Sequence, residues 1–377
     1  MKFTIETKSF GTALAAAAPY AQRASPFTLN SMVYLKTAGN TLTLRAGSLN
    51  SNFECTLSVA DAEDGMVLVA AEKLCGVINK ITSDNVTLER DDNTLYVKPT
   101  EGRKTSVKLA CRDADEYPAA NECADDLYVS VPDTALYNAL SNVIVAVGRD
   151  SGKPMLMGIR FEQEEIDGMH VLNLIATEGR VLAKDSVILD TPIPNFSGAT
   201  VPTVCATRLM PVLKGGNTKI AFYNGKIFIK NGLVKLDNDL LNAPYPNWKR
   251  VIPVPEEATI NVKLKGSDLV ESFGLTSVLV DANSRISALS FKKDTLTIAA
   301  SAHEFGEAEQ EIEVESEYAG EEEDLTLYFN EKLIQPIIAS LRDRDVVFKL
   351  YGPSRNIRVE DENYSSLLYC LAPINKS

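Results

Sequence analysis

Histidine is nearly missing from this chain: 377 residues hold only His170 and His303, and neither sits in a catalytic or metal-ligand pattern. The commonest general base and metal ligand is therefore in short supply. GxxxxGK[ST], HExxH and GxSxG do not occur, and no GxGxxG follows a strand and opens a helix. Gly215-Gly216-Asn217 has no Lys-Ser or Lys-Thr after it to make a phosphate loop and reads as a helix C-cap and turn. Six cysteines, Cys55, Cys75, Cys111, Cys123, Cys205 and Cys370, form no CxxC pair. They read as small buried hydrophobes in a reducing compartment. No apolar run reaches the roughly 18 residues that span a bilayer. The opening Met1-Lys2-Phe3-Thr4-Ile5-Glu6 alternates like a strand and lacks the apolar core of a signal peptide, and the alanine-rich 13–18 is too short to supply one. The expectation is a cytoplasmic protein that is not an enzyme and holds no cofactor and no metal.

Hydrophobic content of 45% and charged content of 24% are those of an ordinary soluble globular protein. The net charge of −13 argues against a nucleic-acid partner unless the basic residues are gathered in one place. Runs such as Glu321-Glu322-Glu323-Asp324 read as solvated loop.

What the chain does have is an internal repeat with a period of about one third of its length. A strand ending in small residues reads Leu42-Thr43-Leu44-Arg45-Ala46-Gly47, Leu172-Asn173-Leu174-Ile175-Ala176-Thr177 and Leu296-Thr297-Ile298-Ala299-Ala300-Ser301, at offsets of 130 and 124 residues. A helix signal follows each: Glu72-Lys73-Leu74, Thr207-Arg208-Leu209 and Glu331-Lys332-Leu333. In the first, Leu74, Val77, Ile78 and Ile81 make an apolar stripe, and in the third Leu333, Ile334, Ile337, Ile338 and Leu341 do so. A hairpin marker recurs as Leu95-Tyr96-Val97, Ile227-Phe228-Ile229 and Ile357-Arg358-Val359, with Asp92-Asn93 and Asn224-Gly225 as turns for the first two. Each unit closes with Tyr117-Pro118, Tyr245-Pro246 or Ala372-Pro373, and opens with a helical stretch at 10–22, 134–147 or 267–280. In the second of these, Leu136, Leu140, Val143, Ile144 and Val147 form the apolar face, with Asn138, Ser141 and Asn142 off it. The reading is three α+β domains, 1–125, 126–255 and 256–377, each with two helices packed on antiparallel sheet. The acidic stretch 121–126 and the Pro-Glu stretch 253–257 serve as boundaries.

Basic residues fall on the repeat helices away from their apolar stripes. Lys73 and Lys80, seven apart, share a helical face. Arg208 is expected at the place of Lys73 in the second unit, with Lys214 near the helix end. Lys332 takes that place in the third, and Arg342 closes the helix. Arg23 and Arg149 follow opening helices. If these helices line one concave surface, a basic wall inside an acidic body attracts phosphates without reading sequence.

At this point the residues resemble a known family, the bacterial-type DNA sliding clamps (the beta subunit of DNA polymerase III). Met1-Lys2-Phe3-Thr4-Ile5 resembles that family's opening. Ala176-Thr177-Glu178-Gly179-Arg180-Val181-Leu182 is similar to its Ala-Thr-Asp-Gly-His-Arg-Leu, and residues 245–253, Tyr-Pro-Asn-Trp-Lys-Arg-Val-Ile-Pro, to its Phe-Pro-Asp-Tyr-Arg-Arg-Val-Leu-Pro. Tyr369-Cys370-Leu371-Ala372-Pro373 resembles its ending. The resemblance implies a head-to-tail homodimer whose six domains close a ring, helices inside and sheet outside. Such a ring is opened by a clamp-loader ATPase, slides on duplex DNA, and tethers the replicative DNA polymerase and other clamp-binding-motif proteins. It further implies a partner-peptide pocket at Leu156, Thr177, Gly179, Arg180, Leu182, Pro246, Arg250, Val251, Asn330, Leu371, Pro373 and Ile374. Plain core packing is the competing reading for Leu156, Leu182 and Val251. Arg180-Val181 in place of His-Arg, Ile286 in place of an aromatic, and the tail after Pro373 depart from the family pattern and imply an altered peptide preference, as in a divergent or phage-encoded member. The alternative is an interaction scaffold of the same fold that does not encircle DNA.

Overall fold

The computed structural model describes residues 1–21, 28–48, 50–102, 105–150, 152–302, 304–320 and 324–374. Arg23, His303 and Glu321-Glu322-Glu323 lie outside them. Alternating side chains build the strands: in Thr41–Gly47, Leu42, Leu44 and Ala46 point inward while Thr43 and Arg45 are half-buried. The Asn224-Gly225 turn takes φ of 46° and 72°, the two positive values that a two-residue type I′ hairpin demands.

Among the described residues six α-helices punctuate the strands: α1 Thr7–Ala17, α2 Ala71–Ile78, α3 Asp133–Ile144, α4 Thr203–Leu209, α5 Gly266–Thr276 and α6 Glu331–Ser340. The opening helices begin one to three residues earlier than their apolar pattern suggests and stop sooner. At the first of them Pro19 falls in a 3₁₀ turn, Ala18–Tyr20, that takes over from α1.

The three repeats share one topology. In the first, four neighbouring strands run Ser51–Ser58, Thr41–Gly47, Met32–Ala38, Gly65–Ala70 within a 13-stranded sheet. The second repeats this order with Val181–Leu189, Met169–Thr177, Gly158–Ile166, Ala199–Pro202, and the third with Gly306–Glu313, Thr295–Ala302, Ile286–Lys292, Leu325–Asn330. Each repeat also carries a second set of strands, the last of them Val107–Arg112, Val234–Asp239 or Tyr364–Leu371.

Compact packing divides the chain differently from its repeats. One unit comprises Met1–Thr134, Ile193–Asn195 and Thr207–Leu240; the other comprises Ala135–Pro192, Phe196–Ala206 and Leu241–Ser377. In the first unit, Ser51–Ser58 pairs antiparallel with Val234–Asp239, Cys55 opposite Val234, so sheet of the first repeat continues into sheet of the second. In the second unit the equivalent pairing joins Val181–Leu189 to Tyr364–Leu371, with Val181 opposite Leu371.

Beneath that second seam lies a polar network. Asp185, wholly buried, accepts from Asn142 Nδ2 at 2.7 Å and from Ser366 Oγ at 2.7 Å. Arg344 donates to Asn142 Oδ1 at 2.8 Å and to Asp361 Oδ2 at 2.7 Å, and Tyr369 Oη donates to the Asn142 carbonyl at 3.1 Å. Asn142, off the apolar face of α3, is nonetheless buried, 6% exposed. A buried amide is tolerated because both its donor and acceptor are used.

The six cysteines form no disulfide; Cys55, Cys111, Cys205 and Cys370 are buried, Cys75 and Cys123 half-buried. Burial pushes the Cys55 and Cys370 thiols up to about 12. Among the described residues no helix is long and apolar enough to cross a membrane.

Two outcomes follow. A thiol reagent on the native protein modifies Cys75 and Cys123, while the other four react only after denaturation, as peptide mass mapping would show. Arg344→Ala strips the buried Asp361 and Asn142 of their half-buried partner and lowers stability by about 3 kcal/mol in denaturant unfolding.

Candidate partner-binding and DNA-facing sites

Most of the residues expected at the peptide pocket converge on the second seam. Strands Met169–Thr177 and Val181–Leu189 meet in a tight turn whose Gly179 takes φ 112°, a backbone setting that disfavours any side chain. Thr177 Oγ1 donates to the Val181 carbonyl at 2.7 Å and receives the Gly179 N–H at 3.0 Å, which fixes the turn. The Arg180 carbonyl accepts from Ala372 N at 2.8 Å, and Ile374 N donates to the Tyr328 carbonyl at 2.7 Å. The C-terminal segment with Leu371, Pro373 and Ile374 is thereby drawn beside the turn.

Residues 245–253 cross this region as a strap. Ile175, Leu182, Trp248 and Cys370 form an apolar cluster with Tyr245 and Ile252 packed against it. The Tyr245 hydroxyl donates to the Ile175 carbonyl at 3.4 Å, and burial pushes its pKa up. Asn356 Nδ2 holds the Val251 carbonyl at 2.8 Å, and Arg358 Nη1 holds that of Pro253 at 2.9 Å. Pro246, Arg250 and Val251 are left outward, Val251 being 45% exposed.

The twelve residues thus divide. Gly179, Arg180, Pro246, Arg250, Val251, Pro373 and Ile374 offer surface, whereas Leu156, Thr177, Leu182 and Leu371 are buried beneath it. Leu156 lies on the 3₁₀ turn Pro154–Leu156, outside the Trp248 cluster, its carbonyl accepting from Gly148 N at 2.9 Å. Asn330 precedes α6, and its buried Oδ1 has no hydrogen-bond partner among the described residues. Sequence reasoning did not single out Trp248, Tyr245, Ile175 or Cys370 as supports. Two bulky aromatics inside a Pro-rich, turn-like stretch were the available signal, since large apolar groups in a connection need a surface to cover.

The expected basic wall needs correction. The six α-helices together hold four basic residues, Lys8, Lys73, Arg208 and Lys332, against five acidic ones, Glu72, Asp133, Asp268, Glu271 and Glu331. Arg208 does not occupy the place of Lys73. Helix α4 starts at Thr203, four residues before the expected signal, and gives way to a 3₁₀ turn at Pro211, so Arg208 falls in its last turn. There its guanidinium donates to the Pro19 carbonyl and Ser51 Oγ and lies 4.5 Å from the Tyr20 ring centroid. Lys80 lies beyond the end of α2, in a turn where its N–H bonds the Val77 carbonyl at 3.0 Å, so it shares no helical face with Lys73. Arg342 likewise lies past the end of α6. Lys80 and Arg342 are exposed two residues past the ends of α2 and α6, where a cation complements the helix dipole; Arg149 and Lys214 are exposed five residues past α3 and α4, and Lys332 is exposed in the first turn of α6.

Comparison with known proteins accounts for the architecture. The N-terminal, central and C-terminal domain models of the DNA polymerase III beta subunit match residues 1–121, 130–247 and 249–375. A beta sliding clamp of Treponema pallidum is 24% identical over 337 residues, covering 87% of this chain and 88% of the relative. One of Haemophilus influenzae is 25% identical over 320 residues, covering 84% and 83%. Among solved structures, a Pseudomonas aeruginosa sliding clamp bound to griselimycin superposes with a TM-score of 0.90 at 23% identity, covering 100% of this chain and 99% of that one. With three successive domain models spanning nearly its whole length and the same fold throughout, this chain belongs to the DNA polymerase III beta subunit family, the beta sliding clamps.

Proposed function

We propose that two copies of this chain close into a ring that encircles duplex DNA, without chemistry of its own, and tethers a replicative polymerase after a clamp-loader ATPase has opened it. Repeats 1–125, 126–255 and 256–377 are its structural modules, and the cytoplasm, where thiols stay reduced, is its compartment.

The observation that carries this reading is a seam left unmade. Within the chain, the outer strand of each four-stranded sheet pairs with the last strand of the next repeat, except at the two ends of the series. Gly306–Glu313 has one neighbour and an open edge, and Val107–Arg112 has no strand along the outer side of residues 107–110, among the described residues. Open edges are pairing templates. The two are also complementary: Glu307, Glu309, Glu311 and Glu313 alternate along one face, while Lys108 and Arg112 share a face of the other.

Side chains beside the edges match as well. Leu275 and Val278, at the end of α5 and just after it, are 56% and 78% exposed. Beside Val107–Arg112 lies an open hollow of about 540 Å³ lined by Val77, Ile81 and Val107 and rimmed by Lys73 and Lys80. Insertion of Leu275 and Val278 from a second copy buries apolar surface that a monomer leaves wet. Lys73 and Lys80 then serve the subunit junction. DNA is left to Arg149, Lys214, Lys332 and Arg342, too few to grip it tightly, which suits a sliding ring. Arg23 completes the proposed set. Partner peptides dock on Pro246, Arg250, Val251, Gly179, Arg180, Pro373 and Ile374, with Asn330 at the rim and Thr177, Leu182 and Leu371 as the buried floor; Leu156, on its turn, completes the proposed set.

The test is retention on nicked circular DNA after loading, compared with the same DNA linearised. Protein that stays on circles and slides off linear ends is topologically linked; equal retention on both defeats the ring and favours the scaffold. Leu275→Glu with Val278→Glu should convert dimer to monomer in sedimentation and abolish retention. Griselimycin, which the Pseudomonas aeruginosa relative binds, should bind this chain, and Val251→Glu should weaken it at least about tenfold, ~1.4 kcal/mol, by calorimetry.

A further inference from the structure

The strap 245–253 presents Arg250 and Val251, and something must hold it in register. Successive strap residues are tied to alternate residues of one strand, Gly158–Ile166, whose Arg160, Glu162 and Glu164 share a face. The Trp248 indole N–H donates to Glu162 Oε2 at 3.0 Å, and Lys249 Nζ to Glu164 Oε2 at 3.0 Å. The two ties are unequal. Lys249 is exposed, so its ion pair is screened by water. Trp248 is 7% exposed, so losing Glu162 leaves a mostly buried indole N–H short of its acceptor.

Glu162 is itself held. Its other oxygen, Oε1, accepts from Arg160 Nε at 2.9 Å, so both ends of the carboxylate are committed and the acceptor is aimed at the indole. Arg160 in turn lies where a side chain on Gly198 would be, since a Cβ there would sit 2.5 Å from Nη2. The chain Gly198, Arg160, Glu162, Trp248 fixes the strap from the sheet side. The segment after the first repeat's Tyr117-Pro118 has no tryptophan and is tied instead by Asn121 Nδ2 to Asp237 at 2.8 Å.

We propose that the Trp248–Glu162 hydrogen bond is a latch that sets the strap for peptide recognition, making Trp248 and Glu162 positioning residues for the outward Arg250 and Val251. This rests on reading that surface as the peptide site.

Trypsin reads the latch directly, because Lys249 and Arg250 are exposed while the strap backbone is pinned at Val251 and Pro253. Under native conditions Trp248→Phe and Glu162→Leu should each speed cleavage after Lys249 and Arg250 about tenfold, with other sites unchanged. Glu162→Gln, which keeps an acceptor, should restore most of the protection. The double variant should behave like either single one, as expected when both act through one bond. Trp248 is the chain's only tryptophan, so its emission should shift in Glu162→Leu and report the site alone. The same variants should weaken griselimycin about tenfold while Lys249→Ala leaves it near wild type.

Unchanged cleavage overturns the latch whatever the ligand does. Faster cleavage at every site reveals a general loss of structure and overturns it too. If the latch variants bind griselimycin normally while Val251→Glu does not, the peptide surface stands and the positioning role falls. If Val251→Glu also binds normally, the peptide reading itself fails, and the proposal with it.

Discussion

Edge-strand pairing between repeats is the interaction on which the structure depends. A four-stranded sheet cannot leave its outer strand bare without exposing a row of backbone donors and acceptors. Here Ser51–Ser58 and Val181–Leu189 each hand that edge to the last strand of the following repeat. The consequence reaches packing: the compact units of the chain cut through the second repeat, because its strands are shared with both neighbours. Gly306–Glu313 keeps an acidic open edge and Val107–Arg112 a basic one, among the described residues.

What seals the second seam is polar as much as apolar. Asp185, Asn142, Arg344, Asp361 and Tyr369 satisfy one another where hydrophobic side chains would also have filled the space. A network in which every member has a fixed partner tolerates one registration of helix on sheet and penalises its neighbours. The strap above it obeys the same logic, with Glu162 receiving two donors and passing its orientation to Trp248.

The near-neutral helices change how DNA contact is understood. Acidic residues outnumber basic ones, 51 to 38, and few of the exposed cations lie on helix faces. In the proposed ring, closure rather than a strong field holds the protein to DNA, and a strong field would slow its sliding.

The repeat, the α+β class, the hairpin turns at Asn224-Gly225 and the family itself were legible in the amino-acid sequence, because apolar periodicity and turn chemistry are local properties that each repeat encodes in its own residues. Helix starts were legible only to within a few residues: α4 begins at Thr203 because of the strand before it, not because of Thr207-Arg208-Leu209. The buried role of Asn142 was hidden, since its partners Asp185 and Arg344 lie 43 and 202 residues away. So was the division of the pocket residues into outward Val251 and buried Leu182, because exposure depends on what the strap covers. Tertiary structure alone decided which strand edges are consumed and which stay open, because pairing is a matter of which backbones meet, and no residue carries that information by itself.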